Sequence, residues 1–219
     1  MEKHYEITEK QLVFLEDFLL KKYPAISDET RIELTDHLIF DFEATTENGN
    51  LSQYLSNELE FIKVFISSRV NLLKEKYDKD VWAEYFSFFI NIKRIPITLF
   101  CYFLIYILTE NLNDKFLWLS FFTSVFGIYG YSLIAQTNAL PKYIKKLPEV
   151  QFLGKGITMA IPYLMSMMIF FPDAKTFLLQ SRIFFSFYWF FAFSLSIAAI
   201  LIMHKKKNII LYKYKHLLN

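Results

Sequence analysis

Four stretches of this chain, Ile95 to Thr109, Phe116 to Gln136, Ile157 to Phe171 and Ile183 to Met203, contain no Asp, Glu, Lys, Arg or His. They run for 15, 21, 15 and 21 residues. A helix rising about 1.5 Å per residue needs roughly 20 residues to cross about 30 Å of hydrocarbon. Two stretches reach that length unaided, the first can borrow Leu112, and the third can borrow Phe152 and Gly156. Lipid offers no partner to an open backbone, and no alternating polar face is present, so helices are expected rather than barrel strands. The predicted fold is all-α, with a four-helix transmembrane bundle over residues 95–203.

The basic residues orient that bundle. With the amino terminus inside, the inner side carries eleven: Lys93, Arg94, Lys142, Lys145, Lys146, Lys155, Lys205, Lys206, Lys207, Lys213 and Lys215. The outer loops carry three, Lys115, Lys175 and Arg182. This bias places both termini in the cytoplasm of a multi-pass protein of the bacterial inner membrane. The polar start MEKHYEITEK has no apolar core, so a cleavable signal peptide is not expected.

Charge divides the chain as sharply as hydropathy does. Residues 1–82 hold 17 acidic and 10 basic side chains, net −7, whereas residues 83–219 hold 5 and 14, net +9. An acidic head stays off anionic lipid while a basic bundle sits on it. The lysines Lys93, Lys142, Lys145, Lys146, Lys205, Lys206 and Lys207, with Arg94, are therefore expected to anchor the bundle to anionic lipid. Residues 204–219 mix lysines with Tyr212 and Tyr214, as a nucleic-acid contact would, but a lysine run directly after a span is a lipid anchor by position. Nucleic acid is not an expected partner.

Residues 1–80 read as a small cytoplasmic three-helix domain. Thr8 with Gln11 forms a capping-box pattern ahead of Leu12, Leu15, Phe18 and Leu19, and Tyr23-Pro24 ends that run. Ser27 opens a second helix with an apolar stripe of Ile32, Leu38, Ile39 and Phe42, closed by the turn residues from Thr46 to Asn50. Ser52 can cap a third, whose stripe is Leu55, Leu59, Ile62, Ile66, Val70 and Leu73. Residues 81–94, with Trp82, Tyr85, Phe86, Phe88 and Phe89 before Lys93-Arg94, suit a separate linker helix at the headgroup level, with Pro96 starting the first span.

Chemistry-bearing constellations are few. Glu33, His37 and Asp41 fall four apart on one helical face, a geometry that suits metal ligation or a partner-facing patch. His4 is the only other His or Cys in residues 1–80, so the patch is the expected use. The lone cysteine, Cys101, excludes an intrachain disulfide. No ionisable group lies inside the apolar stretches, Ser166 and Ser186 have no base at their depth, and Gly154-Lys155-Gly156 is no phosphate loop. These features predict a protein that is not an enzyme and binds no cofactor. Small residues four apart, Ser120 and Ser124, Gly156 and Ala160, Ala192 and Ser196, Ser194 and Ala198, allow close helix contact and a homo-oligomer.

The run Arg31-Ile32-Glu33-Leu34-Thr35-Asp36-His37-Leu38, continuing to Asp41 and Glu43 and then Asn48-Gly49-Asn50-Leu51-Ser52, resembles a pattern in membrane proteins of the Bacteroidetes group. Over residues 8–80 the chain is similar to HAAS-type helical signalling domains, small cytoplasmic domains fused to membrane segments and often associated with PadR-like transcription regulators. Gln53-Tyr54 and Phe61 to Phe65 depart from that pattern. The resemblance implies a regulatory membrane protein whose face with Arg31, Glu33, Asp36 and His37 docks a cytoplasmic partner; Asp41 extends that face. The rival expectations are an accessory or immunity subunit binding another membrane protein laterally, and an oligomeric pore lined by Thr98, Thr123, Ser124 and Ser132.

Overall fold

The computed structural model describes residues 5–24, 26–138, 140, 144–151, 153, 176 and 179–213. Among these, the regular elements are helices: α1 (Glu9–Lys22), α2 (Asp28–Thr45), α3 (Leu51–Asn57), α4 (Leu59–Ile90), α5 (Ile95–Asn111), α6 (Asp114–Thr137), a 3₁₀ turn (Ile144–Lys146), α7 (Pro148–Gln151) and α8 (Arg182–Lys213). Contacts divide the chain into two units, one of Met1–Glu75 with Lys146–Glu149, the other of Lys76–Lys145 with Val150–Asn219.

In the first unit, short-range rules set the helix ends. The Thr8 side chain accepts from the Gln11 amide while Gln11 Oε1 accepts from the Thr8 amide at 2.9 Å, so the capping box forms as expected. Ser27 caps α2 through the Thr30 amide. Leu15 and Leu19 of α1, Leu34, Leu38 and Phe42 of α2, Leu51 and Leu55 of α3 and Ile62 of α4 make the core. The α2 face is rotated from the expected one: Leu34 is fully buried while Ile32 is 61% exposed. Leu34, Leu38 and Phe42 repeat every four residues and meet α1, α3 and α4 together, and Ile32 falls off that line.

The expected third helix is split in two, with α3 beginning about two turns before α4. Asn50, not Ser52, is its cap, accepting from the Gln53 amide at 3.1 Å, and Glu58 separates α3 from α4. Gly49 makes this corner possible. Its φ is +64°, and a Cβ there would lie 2.6 Å from the Tyr5 ring. Gln11 Nε2 donates to the Gly49 carbonyl at 2.9 Å and to Tyr5 Oη at 3.0 Å, tying the start of the chain to the α2–α3 corner.

In the second unit, α8 is central. Ala192, Ser194, Leu195, Ser196, Ala198 and Ala199 are all buried, so more than half of its circumference is covered there. Along α6 the contacts run in parallel with α8: Arg182 pairs with Asp114 at 2.6 Å, Trp189 Nε1 donates to Ser124 Oγ at 3.0 Å, and Tyr131 Oη lies 2.9 Å from His204 Nε2. Of the small pair Ser120 and Ser124, Ser124 thus lies at a helix contact, and the Ser194 and Ser196 hydroxyls donate to the carbonyls of their own helix.

Among the described residues two helices, α6 and α8, are long and apolar enough to cross a membrane, or three if α4 and α5, bent by 90° at their junction, form one span. The second and fourth expected spans coincide with α6 and α8. The first coincides with α5, which has 17 residues and reaches crossing length only as part of the bent pair. The third, Ile157 to Phe171, with the expected kink at Pro162 and the pair Gly156 and Ala160, lies outside the described residues.

Residues 81–90 are not a separate helix. They are the last turns of α4, because nothing between Leu59 and Ile90 is Gly or Pro. The break falls at Asn91–Arg94, ahead of Pro96, whose missing amide and ring bar a continuous helix there. The last turns of α4 touch α8 through side chains, with Asp80 on Lys206 at 2.5 Å, Tyr85 on Phe191 and Phe89 on Phe190.

Candidate functional site

The five α2 residues singled out from the sequence meet different fates. Arg31 pairs with Asp28 one turn earlier at 2.7 Å. Glu33 pairs with Arg69 of α4, whose guanidinium also lies over the Phe65 ring. His37 meets the same Phe65 edge-on at 5.5 Å, and Asp41 accepts from Tyr54 Oη at 2.8 Å. Asp36 is exposed. Glu33, His37 and Asp41 do form one row, and it lies against α4 and α3 rather than converging on an ion. Among the described residues no group of three or more His, Cys, Asp or Glu side chains is placed to hold a metal.

At the carboxyl-terminal end of that row the unit opens into a cleft of about 800 Å³, within the size range of ligand sites. His37 and Asp41 line it, joined by Phe40 and Glu47 of α2 and its following turn, and by Glu58 and Phe61 beyond α3. Three carboxylates, Asp41, Glu47 and Glu58, face one imidazole, with no Lys or Arg in the lining. Phe40 is 75% exposed at the cleft although it is a large apolar side chain. Burial raises the Tyr54 phenol well above its ordinary range, and the bonded Asp41 carboxylate adds to the rise, so Tyr54 stays a neutral donor.

Sequence reading missed Phe40, Tyr54, Glu58 and Phe61. The available signal was that Phe40 and Phe61 stand off the apolar stripes of their helices.

The expected lipid anchors also separate. Lys93, Lys145 and Lys205 are exposed. Arg94 is held by its own elbow: Nη1 donates to Glu84 Oε1 and to Ser87 Oγ, both at 2.6 Å, and its guanidinium lies over Phe88. Lys206 pairs with Asp80. Lys207 is buried, its ammonium donating to the carbonyls of Ala135 and Asn138 at the end of α6. Lys142 lies outside the described residues, as does the side chain of Lys146. The hydroxyls named for a pore are largely engaged with backbone carbonyls: Thr98 with Phe88 and Arg94, Ser124 with Phe121, Ser132 with Tyr129.

Comparisons with protein-family models, curated proteins and solved structures find no match for this chain.

Proposed function

We propose that this is a regulatory protein of the bacterial inner membrane, without catalysis of its own, whose acidic helical unit docks a basic segment of a protein partner. The observation that carries this reading is the cleft beside Phe40. Three carboxylates with no Lys or Arg among them complement a basic residue, and an exposed phenylalanine at the same cleft complements an apolar neighbour on that partner. The resemblance to HAAS-type domains supports the same face, because His37 and Asp41 belong both to the helix that carries the resemblance and to the cleft. The second unit anchors the first to the membrane, with both termini cytoplasmic, as the lysine distribution supports.

The test is a photo-crosslinking amino acid in place of Phe40 in the full chain, activated in native membranes. A discrete protein adduct is expected, and it should vanish when Glu47→Lys and Glu58→Lys reverse the cleft charge. An adduct indifferent to that reversal, or none at all, would refute the reading. A pull-down that Asp36→Ala with His37→Ala leaves unchanged would remove the rest of the α2 face from it.

A further inference from the structure

The α4–α5 elbow carries a second cavity, in the second unit and of opposite chemistry to the cleft. It measures about 590 Å³, and its walls are Phe88 and Phe89 of α4, Leu99 and Tyr102 of α5, and Phe187 and Phe190 of α8, with few polar atoms among them. The hydroxyls present are already engaged: Thr98 donates to backbone carbonyls, Tyr102 Oη lies 3.4 Å from Ser186 Oγ, and the Tyr85 hydroxyl, also on the wall, is hydrogen-bonded with Ser194. Nothing on the walls is left to orient a polar molecule.

Charge sits at the elbow instead. Residues 91–94 join α4 to α5 immediately before the cavity residue Ile95, and they bring Lys93 and Arg94 with them. Glu84 balances Arg94 through the 2.6 Å pair. Lys93 is exposed, and no ion pair holds it among the described residues, so the elbow keeps one positive charge in excess. Around it Ile90, Ile92 and Ile97 are 75%, 84% and 65% exposed, surfaces suited to hydrocarbon rather than water.

An apolar cavity beside an uncompensated cation selects an amphiphile with a hydrocarbon tail and an anionic head. We propose that the elbow binds an anionic phospholipid, with an acyl chain between α4, α5 and α8 and the phosphate at Lys93 and the free edge of Arg94. This depends on the membrane reading of the second unit and not on the partner reading of the cleft. Lys93 then acts as a specific headgroup ligand, a role distinct from the diffuse attraction expected of a basic tail.

The full chain purified in mild detergent and offered phosphatidylglycerol and phosphatidylcholine at equal concentration, with bound lipid read by native mass spectrometry, tests this. Wild type should retain phosphatidylglycerol several-fold over phosphatidylcholine, Lys93→Gln should lose that preference, and Leu99→Trp should lose both lipids by filling the cavity. Phosphatidylglycerol with a photoreactive acyl chain should mark wild-type peptides containing Phe88 and Phe89 or Phe187 to Phe191. Equal retention of the two lipids by wild type, an undiminished preference in Lys93→Gln, labelling confined to α6, or a lipid-free dimer covering the elbow would each overturn the proposal. The Lys93 and photolabelling arms keep it testable if Leu99→Trp does not fold.

Discussion

Lys207 Nζ donates to the Asn138 carbonyl at 2.6 Å, and the same ammonium reaches the Ala135 carbonyl at 2.6 Å. The last carbonyls of a helix have no intrahelical donor and carry the negative end of its dipole, so a buried cation there closes α6 against α8. Three adjacent lysines therefore do three things: Lys205 faces out, Lys206 pairs with Asp80, and Lys207 caps a helix.

Lys207→Met should cost about 1–3 kcal/mol, the range for losing hydrogen bonds to a charged group and leaving their acceptors short. Lys205→Met should cost nothing measurable. Thermal unfolding of both variants in the same detergent checks this, and equal melting temperatures would place Lys207 among the solvent-facing lysines instead.

Gly49→Ala should destabilise the first unit, because an alanine at φ +64° costs about 1 kcal/mol or more and its Cβ would meet the Tyr5 ring. In a Tyr5→Ala background the steric part disappears and the backbone part stays. Denaturant titration of the two singles and the double variant separates them.

The Glu33–Arg69 pair is partly solvated, with side chains 42% and 36% exposed, so its coupling should be small, about 0.2–1 kcal/mol, and should shrink as salt is raised. A double-mutant cycle with Glu33→Gln and Arg69→Met at low and high ionic strength measures it. A coupling insensitive to salt would mean the pair is shielded from solvent.

Tyr54 ionises later in the folded protein than in the unfolded chain, because burial, and then the bonded Asp41, hold its phenol protonated. A raised folded pKa contributes stability that is complete below the unfolded value of about 10 and lost as pH climbs beyond it. The melting-temperature advantage of wild type over Tyr54→Phe should thus be constant from neutral pH to near that value and fall above it. An advantage that grew in alkali would reverse the sign of this linkage.

Much of the first unit was legible because its signals act within one helical turn. Thr8 with Gln11, Ser27 ahead of α2, and Tyr23-Pro24 after α1 each work through neighbouring backbone groups, and the structure has the caps at Thr8, Ser27 and Tyr23. Ile32 was misread because a periodic pattern permits more than one buried face, and the choice of Leu34 depends on where α1, α3 and α4 lie. The separate linker helix failed for the opposite reason: its aromatic composition suggested a boundary where no residue interrupts the backbone.

Apolar length and charge sign, properties of the chain itself, set the helical class, α6 and α8 as candidate spans and the acidic character of residues 1–82. Tertiary structure alone decided that Lys207 turns inward while Lys205 does not, that Asp41 serves Tyr54, and that Phe40, Glu58 and Phe61 meet across one cleft. Helix formation is governed by interactions a few residues apart, whereas the use of an exposed or charged side chain depends on which distant segment packing brings within about 3 Å of it.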